Sequence, residues 1–278
     1  DSPSYAALAH MIRTGDFTGY TGVRTPGYPL FMLMAGMDNQ VIRLAQNFSG
    51  LLAIGLGFIL VWRRGSLQAA CIVALILAIS IQFPFYEAII QTEALALLAM
   101  MASLVFLLGR PAGHYWHLVV AGTLASIGAL IRPHFLFLPP LYGGLLTLRD
   151  WGKWPMLIKG LAALIAPAAL LIGGWVGFNY LALSRATFTT IGKYQILAHM
   201  IPYVESADES FEPMKNIYVE QYRELKEFMQ ASDDNRGFIG GDLQRKLREA
   251  GCTLDAKAIA DWQYAMAMDL IKKHPLGY

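Results

Sequence analysis

The sequence predicts an all-α polytopic membrane protein with an attached helical soluble domain. Hydrophobic residues make up 55% of the 278 positions and charged residues 15%, against roughly 25% charge in a typical soluble domain. Residues 44–184 contain only 10 charged positions out of 141, whereas residues 185–278 contain 26 out of 94. The apolar content excludes a disordered chain, and a net charge of +2 gives no support to nucleic-acid binding.

The segment 44–184 is predicted to form about six transmembrane helices, because a crossing needs roughly 20 mainly apolar residues, with a range of about 17 to 25. Four uncharged runs are long enough outright, and a fifth is expected to begin near Thr92. The sixth contains Pro139 and Pro140 and predicts a short or broken helix. The six runs are 44–62, 65–86, 94–109, 111–131, 133–148 and 160–184.

Basic residues in short loops predict the orientation, because they mark the cytoplasmic side. They occupy alternate connections between the predicted crossings, namely Arg63, Arg64, Arg110, Arg149, Lys153 and Lys159. Six crossings would therefore place residues 1–43 and 185–278 on the extracytoplasmic side of the plasma membrane. Because no signal peptide precedes Asp1, we expect at least one further crossing upstream and more membrane helices after Tyr278.

Both outer segments carry helix signals. In the first, Ser2 can cap an interfacial helix that stops at Gly15. In the second, apolar residues at helical spacing predict helices over 213–231 and over 254–273, the latter with Thr253 as its cap and leading towards a further membrane helix. We therefore expect 1–43 to be an outer loop with an interfacial helix, and the segment after 184 to be a helical outer domain.

Between the first helix and the first crossing lies the stretch Arg24-Thr-Pro-Gly-Tyr-Pro-Leu-Phe31. A proline pushes the residue before it towards extended geometry, which affects Thr25 and Tyr28 here. The pattern therefore predicts a rigid turn instead of a helix.

Together with Asp1-Ser-Pro-Ser-Tyr5, this stretch resembles the first extracytoplasmic loop of GT-C glycosyltransferases, the membrane enzymes related to protein O-mannosyltransferases and lipid A aminoarabinose transferase. The likeness continues through Gln91-Thr-Glu93, Ile131-Arg-Pro133, Trp175, Asn179-Tyr180 and His274-Pro275. The resemblance implies a GT-C-like helical bundle. It also implies transfer of a sugar, with inversion, from a polyprenyl-phosphate donor to a lipid, glycan or protein acceptor on the outer face, among membrane lipids.

In that family an Asp of the first outer loop is the catalytic or acceptor-orienting acid, and Asp1 occupies the position here. Many relatives have a second acid directly after it, where this chain has Ser2. The chemistry needs a carboxylate to accept the proton of the acceptor hydroxyl. The leaving phosphate needs no proton, but it needs positive donors, and arginine suits phosphate because it can bind two oxygens at once.

The residues of the candidate site are of two kinds, catalytic and substrate-binding. The predicted catalytic residues are Asp1 and Glu93, and the predicted substrate-binding residues are Arg24, Tyr28, Arg132, His134 and Glu87. Each has a structural alternative: an acid such as Glu93 also stabilises a helix N-terminus, arginines anchor at lipid headgroups, and tyrosine and histidine are common at membrane interfaces.

No metal-ligand spacing is present. Cys71 lies in a predicted transmembrane run and Cys252 in the predicted soluble domain, so a disulfide between them is not expected. A divalent metal nevertheless stays open as a cofactor, because some relatives hold one among outer-face acids. Two other functions compete with sugar transfer. One is a secondary transporter, which usually places ionisable groups near the bilayer midplane, where this chain has none. The other is a non-catalytic lipid-handling or assembly protein.

Overall fold

The computed structural model describes residues 2–79, 92–109, 114–229, 243–252 and 256–275. Within these ranges every regular element is a helix, which confirms the predicted helical class. The chain divides into two compact units: unit 1 is Asp1–Tyr20 with Arg24–Phe188, and unit 2 is Thr21–Val23 with Thr189–Tyr278. The predicted boundaries of the membrane segment, at 43/44 and 184/185, stay predictions, because the division into compact units does not show which residues lie in a membrane.

Unit 1 contains eight helices within the described ranges. They are α1 (Ser2–Thr14), α2 (Gly27–Met34), α3 (Asn39–Trp62), α4 (Leu67–Ile79), α5 (Glu93–Leu108), α6 (Trp116–Ile131), α7 (Leu138–Arg149) and α8 (Trp154–Leu183). A 3₁₀ segment, Pro133–Phe137, precedes α7, as expected for a broken helix. Helix α1 ends at the predicted glycine: Gly15 has φ 72° and donates its N–H to the carbonyl of Met11. The helix begins at Ser2 itself, the residue predicted to cap it.

The predicted rigid turn is wrong at Tyr28, because α2 begins one residue earlier, at Gly27. Pro29 is the third residue of this helix. The first four N–H groups of a helix have no intrahelical acceptor, so a missing N–H there removes no hydrogen bond. Proline spacing alone therefore does not separate a turn from a helix whose first turn contains proline.

Two helices of unit 1, α3 and α8, are long and apolar enough to cross a membrane. Only 28% and 22% of their most apolar stretches are buried inside the protein, unlike the core helix of a soluble domain. Helices α4, α5 and α6 are apolar but shorter. At 16 residues each, α5 and α6 extend about 24 Å, compared with a hydrocarbon thickness of about 30 Å.

Small residues bring the helices of unit 1 together. Helix α6 buries Ala121, Gly122, Ala125 and Ser126 on its packed face. A Cβ atom on Gly122 would lie 2.1 Å from the carbonyl oxygen of Leu164 on α8, so only glycine permits this approach. Some large apolar side chains of these helices, such as Leu118 and Leu164, are buried beside these small residues. Many others are exposed: among the described residues, every exposed large hydrophobic side chain except Tyr264 belongs to unit 1.

Unit 2 consists of α9 (Ile191–Met200), α10 (Met214–Met229), α11 (Leu243–Glu249) and α12 (Ala256–Lys273), with 3₁₀ segments at Ile201–Ser206 and Glu209–Phe211. The two helices predicted from the sequence are present as α10 and α12. The predicted apolar stripe of α12 lies in the core, with Met266 and Leu270 fully buried and Ile259 nearly so. The predicted cap, Thr253, lies outside the described residues.

Candidate functional site

The centre of the candidate site is an ion pair between two helix ends in unit 1. Glu93 is the first residue of α5, and Arg132 directly follows the last residue of α6. The Arg132 Nη1 and Glu93 Oε1 atoms form a salt bridge. The hydroxyl of Thr92 also lies 3.4 Å from the second oxygen of Glu93. The structure thus brings together two residues that the sequence analysis named separately.

The local sequence accounts for the placement of both charges. Pro133 disfavours helical geometry at the residue before it, and Arg132 is accordingly extended, at φ −136° and ψ 110°. An anion is stabilised at a helix N-terminus and a cation at a helix C-terminus, as Glu93 and Arg132 are here. Because their side chains are still 24% and 32% exposed, respectively, a ligand from outside can reach the pair.

Arg24 is held by the first helix. Its Nε donates to the hydroxyl of Ser4 at 2.9 Å, and its Nη1 donates to the hydroxyl of Tyr5 at 3.1 Å. The guanidinium carbon lies 4.4 Å from the centre of the Tyr5 ring, which is a cation–π contact. These contacts fix the direction of the guanidinium, although the residue stays partly exposed.

Tyr28 packs against Tyr5, the residue that binds Arg24, and is near enough to Glu93 to be affected by its charge. Its ring meets the Tyr5 ring edge to face, with centroids 5.0 Å apart, and its hydroxyl lies 3.4 Å from Oε1 of Gln46. Burial raises the pKa of the Tyr28 hydroxyl above its ordinary value, and the nearby Tyr5 and Glu93 raise it further, so the group is a neutral phenol. With no exposed surface, Tyr28 supports Tyr5 in this structure, and its role in substrate binding stays a prediction.

The sequence analysis missed two residues of the same stretch. A Cβ atom on Gly27 would lie 2.6 Å from the backbone of Leu130, so glycine lets the start of α2 rest directly on the end of α6. Thr25 is fully buried, and its hydroxyl has no hydrogen-bond partner in the described part of the chain. The sequence did contain a signal for Gly27, which lies between Pro26 and Pro29. Because the two prolines already restrict the backbone there, a glycine beside them indicates close packing against another element.

An aromatic cluster anchors the loop after α1 to the end of α8. Asn179 accepts a hydrogen bond from the Tyr20 hydroxyl at 2.8 Å and donates to the carbonyls of Thr187 and Phe188. The Trp175 indole also donates to Phe188, at 3.0 Å. Since Asn179 is fully buried with both ends of its amide satisfied, this part of the GT-C resemblance corresponds to a scaffold instead of a reactive group.

Three other predicted site residues remain outside this geometry. Asp1 and Glu87 lie outside the described residues. His134 is exposed on the 3₁₀ segment that follows Arg132. In the described ranges no three His, Cys, Asp or Glu side chains group as metal ligands, and with both other predicted acids outside those ranges the metal question stays open.

Comparison of the chain with protein-family models, with curated proteins and with solved structures returns no match. The chemical interpretation of the site therefore rests on its geometry and on the resemblance of the motifs. Among the described side chains, the site holds Arg24, Arg132 and Glu93, for a formal charge of +1. Two guanidinium groups with fixed directions beside a reachable surface are suited to an anionic group such as a phosphate.

Proposed function

We propose that the chain is an integral membrane glycosyltransferase that moves a sugar from a polyprenyl-phosphate donor to an acceptor on the extracytoplasmic face, with inversion. The observation that carries the proposal is the Glu93–Arg132 ion pair. Tyr28 lies close enough to Glu93 to be affected by its charge, and it packs on Tyr5, which binds Arg24. The residues of this cluster come from the motifs that resemble GT-C enzymes, although they are distant in the sequence.

In the proposed reaction the two arginines bind the donor phosphate. The acceptor hydroxyl attacks the anomeric carbon, the bond from that carbon to the phosphate oxygen breaks, and the negative charge on the leaving phosphate grows. Fixed guanidinium groups stabilise that charge without having to reorganise during the reaction. Arg132 is the better candidate for the leaving oxygen, because Glu93 fixes its direction through Nη1 while a guanidinium has further N–H groups that can bind phosphate.

The proton of the acceptor hydroxyl goes to Asp1 in this proposal. Glu93 is less suited to the role, because one of its oxygens is already paired with Arg132. We therefore assign Glu93 to orienting Arg132 and Asp1 to proton acceptance. His134, two residues from Arg132, and Glu87 are proposed to contact the sugar or acceptor.

The membrane placement is supported by the surface of unit 1. Leu51, Leu75 and Leu170 are among many apolar side chains that are more than half exposed, a surface that water disfavours and lipid does not. Exposed tryptophans lie near the predicted cytoplasmic ends of the helices, at Trp62 and Trp154, beside the basic loops. We propose a multi-pass protein of the plasma membrane whose residues 1–43 and 185–278 are extracytoplasmic.

The ion pair also bears on the competing functions. It lies at helix ends, whereas transporters commonly hold their ionisable groups at the midplane. A lipid-handling protein would use the same arginines to bind a phosphate without breaking a bond. Catalytic turnover therefore separates the proposal from this last alternative.

The test is sugar transfer by the full-length protein in membranes supplied with radiolabelled polyprenyl-phosphate sugars. Wild type should transfer label to a membrane or protein acceptor. Asp1→Asn should lower the rate about 100-fold or more, because it removes the proton acceptor while keeping the side-chain shape. The matched control is Asp16→Asn, whose carboxylate bonds Thr18 in the loop after α1.

Undiminished transfer by Asp1→Asn would remove Asp1 from the mechanism. Donor binding without transfer, for every sugar tried, would favour a lipid-handling protein. Chelation of divalent cations in the same assay tests the open metal question: lost transfer that returns on adding one cation would mean that the site holds it.

A further inference from the structure

A second basic feature lies at the other end of α5, one helix length from Glu93. Helices α3 and α5 pack side by side and their C-terminal turns enclose a cleft of about 230 Å³. Its walls are three apolar side chains, the backbone of a glycine and two arginines. They are Ile59, Leu60, Val105, Gly109, Arg63 and Arg64.

The two arginines have different surroundings. Arg64 donates from Nη2 to the carbonyl oxygen of Leu108, in the last turn of α5, which fixes its direction. The guanidinium of Arg63 has no ion-pair or hydrogen-bond partner within the described part of the chain, and its side chain is exposed. One arginine thus closes the helix end, and the other is available to a ligand.

The electrostatic balance of the cleft favours an anion. The C-terminal ends of two helices contribute about −0.5 elementary charge each, or about −1 together. Arg63 and Arg64 contribute +2, and none of the described residues that line the cleft is acidic. The sum is positive, so a phosphate can enter without displacing a carboxylate.

The neighbouring aromatic residues indicate the level of the cleft in a bilayer. Trp62, which immediately precedes Arg63, is 54% exposed, and its ring lies 5.9 Å from that of Phe58. Exposed tryptophan beside arginine is typical of the headgroup region. Ile59 and Val105 line the cleft about one turn before the ends of their helices, where the first acyl carbons of a lipid would lie.

We propose that this cleft binds the phosphate headgroup of an anionic phospholipid of the cytoplasmic leaflet. Arg63 binds the phosphate oxygens, Arg64 adds its positive charge beside them, and Ile59, Leu60 and Val105 contact the start of the acyl chains. The proposal rests on the membrane placement given above but not on sugar transfer, because the cleft and the Glu93–Arg132 pair share no residue.

The test is native mass spectrometry of the full-length protein released from mixed micelles with equal amounts of phosphatidylglycerol and phosphatidylcholine. Wild type should retain phosphatidylglycerol preferentially. Arg63→Gln removes a charge without breaking a contact and should lower that preference about fivefold. A second variant, R63Q/R64Q, should abolish it. The matched control, K153Q/K159Q, removes two exposed charges from the same predicted face and should keep the preference.

Unchanged preference in Arg63→Gln would overturn the proposal, and so would equal losses in R63Q/R64Q and K153Q/K159Q, which would mean diffuse attraction. Displacement of the lipid by millimolar inorganic phosphate would also contradict it, because the cleft would then take a soluble anion. Extraction of membranes with alkaline carbonate distinguishes failure of the membrane placement from failure of the lipid site. Release of wild type from membranes would overturn the membrane placement and this proposal together, whereas loss of preference in retained protein overturns this proposal alone.

Discussion

Units 1 and 2 differ in how many of their large apolar side chains are exposed. Both bury some, such as Leu118 and Leu164 in unit 1, but only unit 1 leaves many leucines exposed in the described part of the chain. In unit 1 the packed face of α6 is built from residues such as Ala121 and Gly122, while leucines such as Leu170 point outwards. In unit 2 the core consists of large side chains such as Met266 and Leu270. Exposed leucines disfavour contact with water, so this difference is the one that the proposed membrane placement of unit 1 requires.

The comparison also separates two ways of holding helices together. Unit 2 removes large apolar surface from water when it folds, which is the usual source of stability in a soluble domain. In lipid that force is absent between helices, and close backbone approach through small residues takes its place, as at Gly122 and Leu164.

The exterior prediction has the largest expected effect. Leu170 lies near the middle of α8 and is 75% exposed. Leu170→Arg should raise the apparent free energy of membrane insertion by about 3.5 kcal/mol, because the charge would face lipid. The measurement is the amount of full-length protein in the membrane fraction. Tyr264→Arg in unit 2 is the control and should accumulate normally. Normal accumulation of Leu170→Arg would mean that α8 faces water.

The interior of unit 2 provides a matched pair on one helix. Met266 is fully buried, whereas Met268, two residues later, is partly exposed. Met266→Ala should lower the free energy of unfolding by about 3 kcal/mol through the cavity that it leaves. Met268→Ala should lower it by less than about 1 kcal/mol. Protease resistance of the segment after 188 in the full-length protein measures both. Equal effects would contradict the core assigned to unit 2.

The interior of unit 1 should be destabilised by the addition of a single methyl group. Gly122→Ala places a methyl group against the carbonyl of Leu164 and should destabilise the folded protein by about 2 kcal/mol. Gly173 on α8 has no neighbouring atom within 4 Å of an added Cβ, so Gly173→Ala should be neutral or slightly stabilising. Thermal unfolding in detergent compares the two variants. A tolerated Gly122→Ala would mean that the helices separate easily at this point.

Much of this contrast could be predicted from the sequence, because the period of apolar residues determines where a helix forms and which face it buries. The uncharged runs indicated the helices of unit 1, and the stripe through Met266 indicated the core face of α12. The turn predicted at Tyr28 was wrong, because a proline in the first helical turn leaves the same local signal as one in a turn.

The pairing of Glu93 with Arg132 was not predicted, although a signal was present. Position 112 lies in the connection between α5 and α6, and the two residues lie 19 positions before it and 20 after it. Two antiparallel helices of 16 residues each therefore bring their far ends together. Distances between side chains do not follow from periodicity, so the contacts of Arg24 with Ser4 and Tyr5 required the structure.

The most direct test of the proposed site is a double-mutant cycle on the ion pair, measured as polyprenyl-phosphate sugar transfer by the full-length protein in membranes. The variants are Arg132→Gln, Glu93→Gln and the double variant, with Arg13→Gln, an exposed residue of α1, as the matched control. Loss of a fixed positive donor should lower kcat about 100-fold in Arg132→Gln. Glu93→Gln should have a smaller effect, and the double variant should be no slower than Arg132→Gln, because Glu93 acts through Arg132. Wild-type transfer by Arg132→Gln, or losses that simply multiply in the double variant, would contradict the proposal that Arg132, oriented by Glu93, binds the donor phosphate.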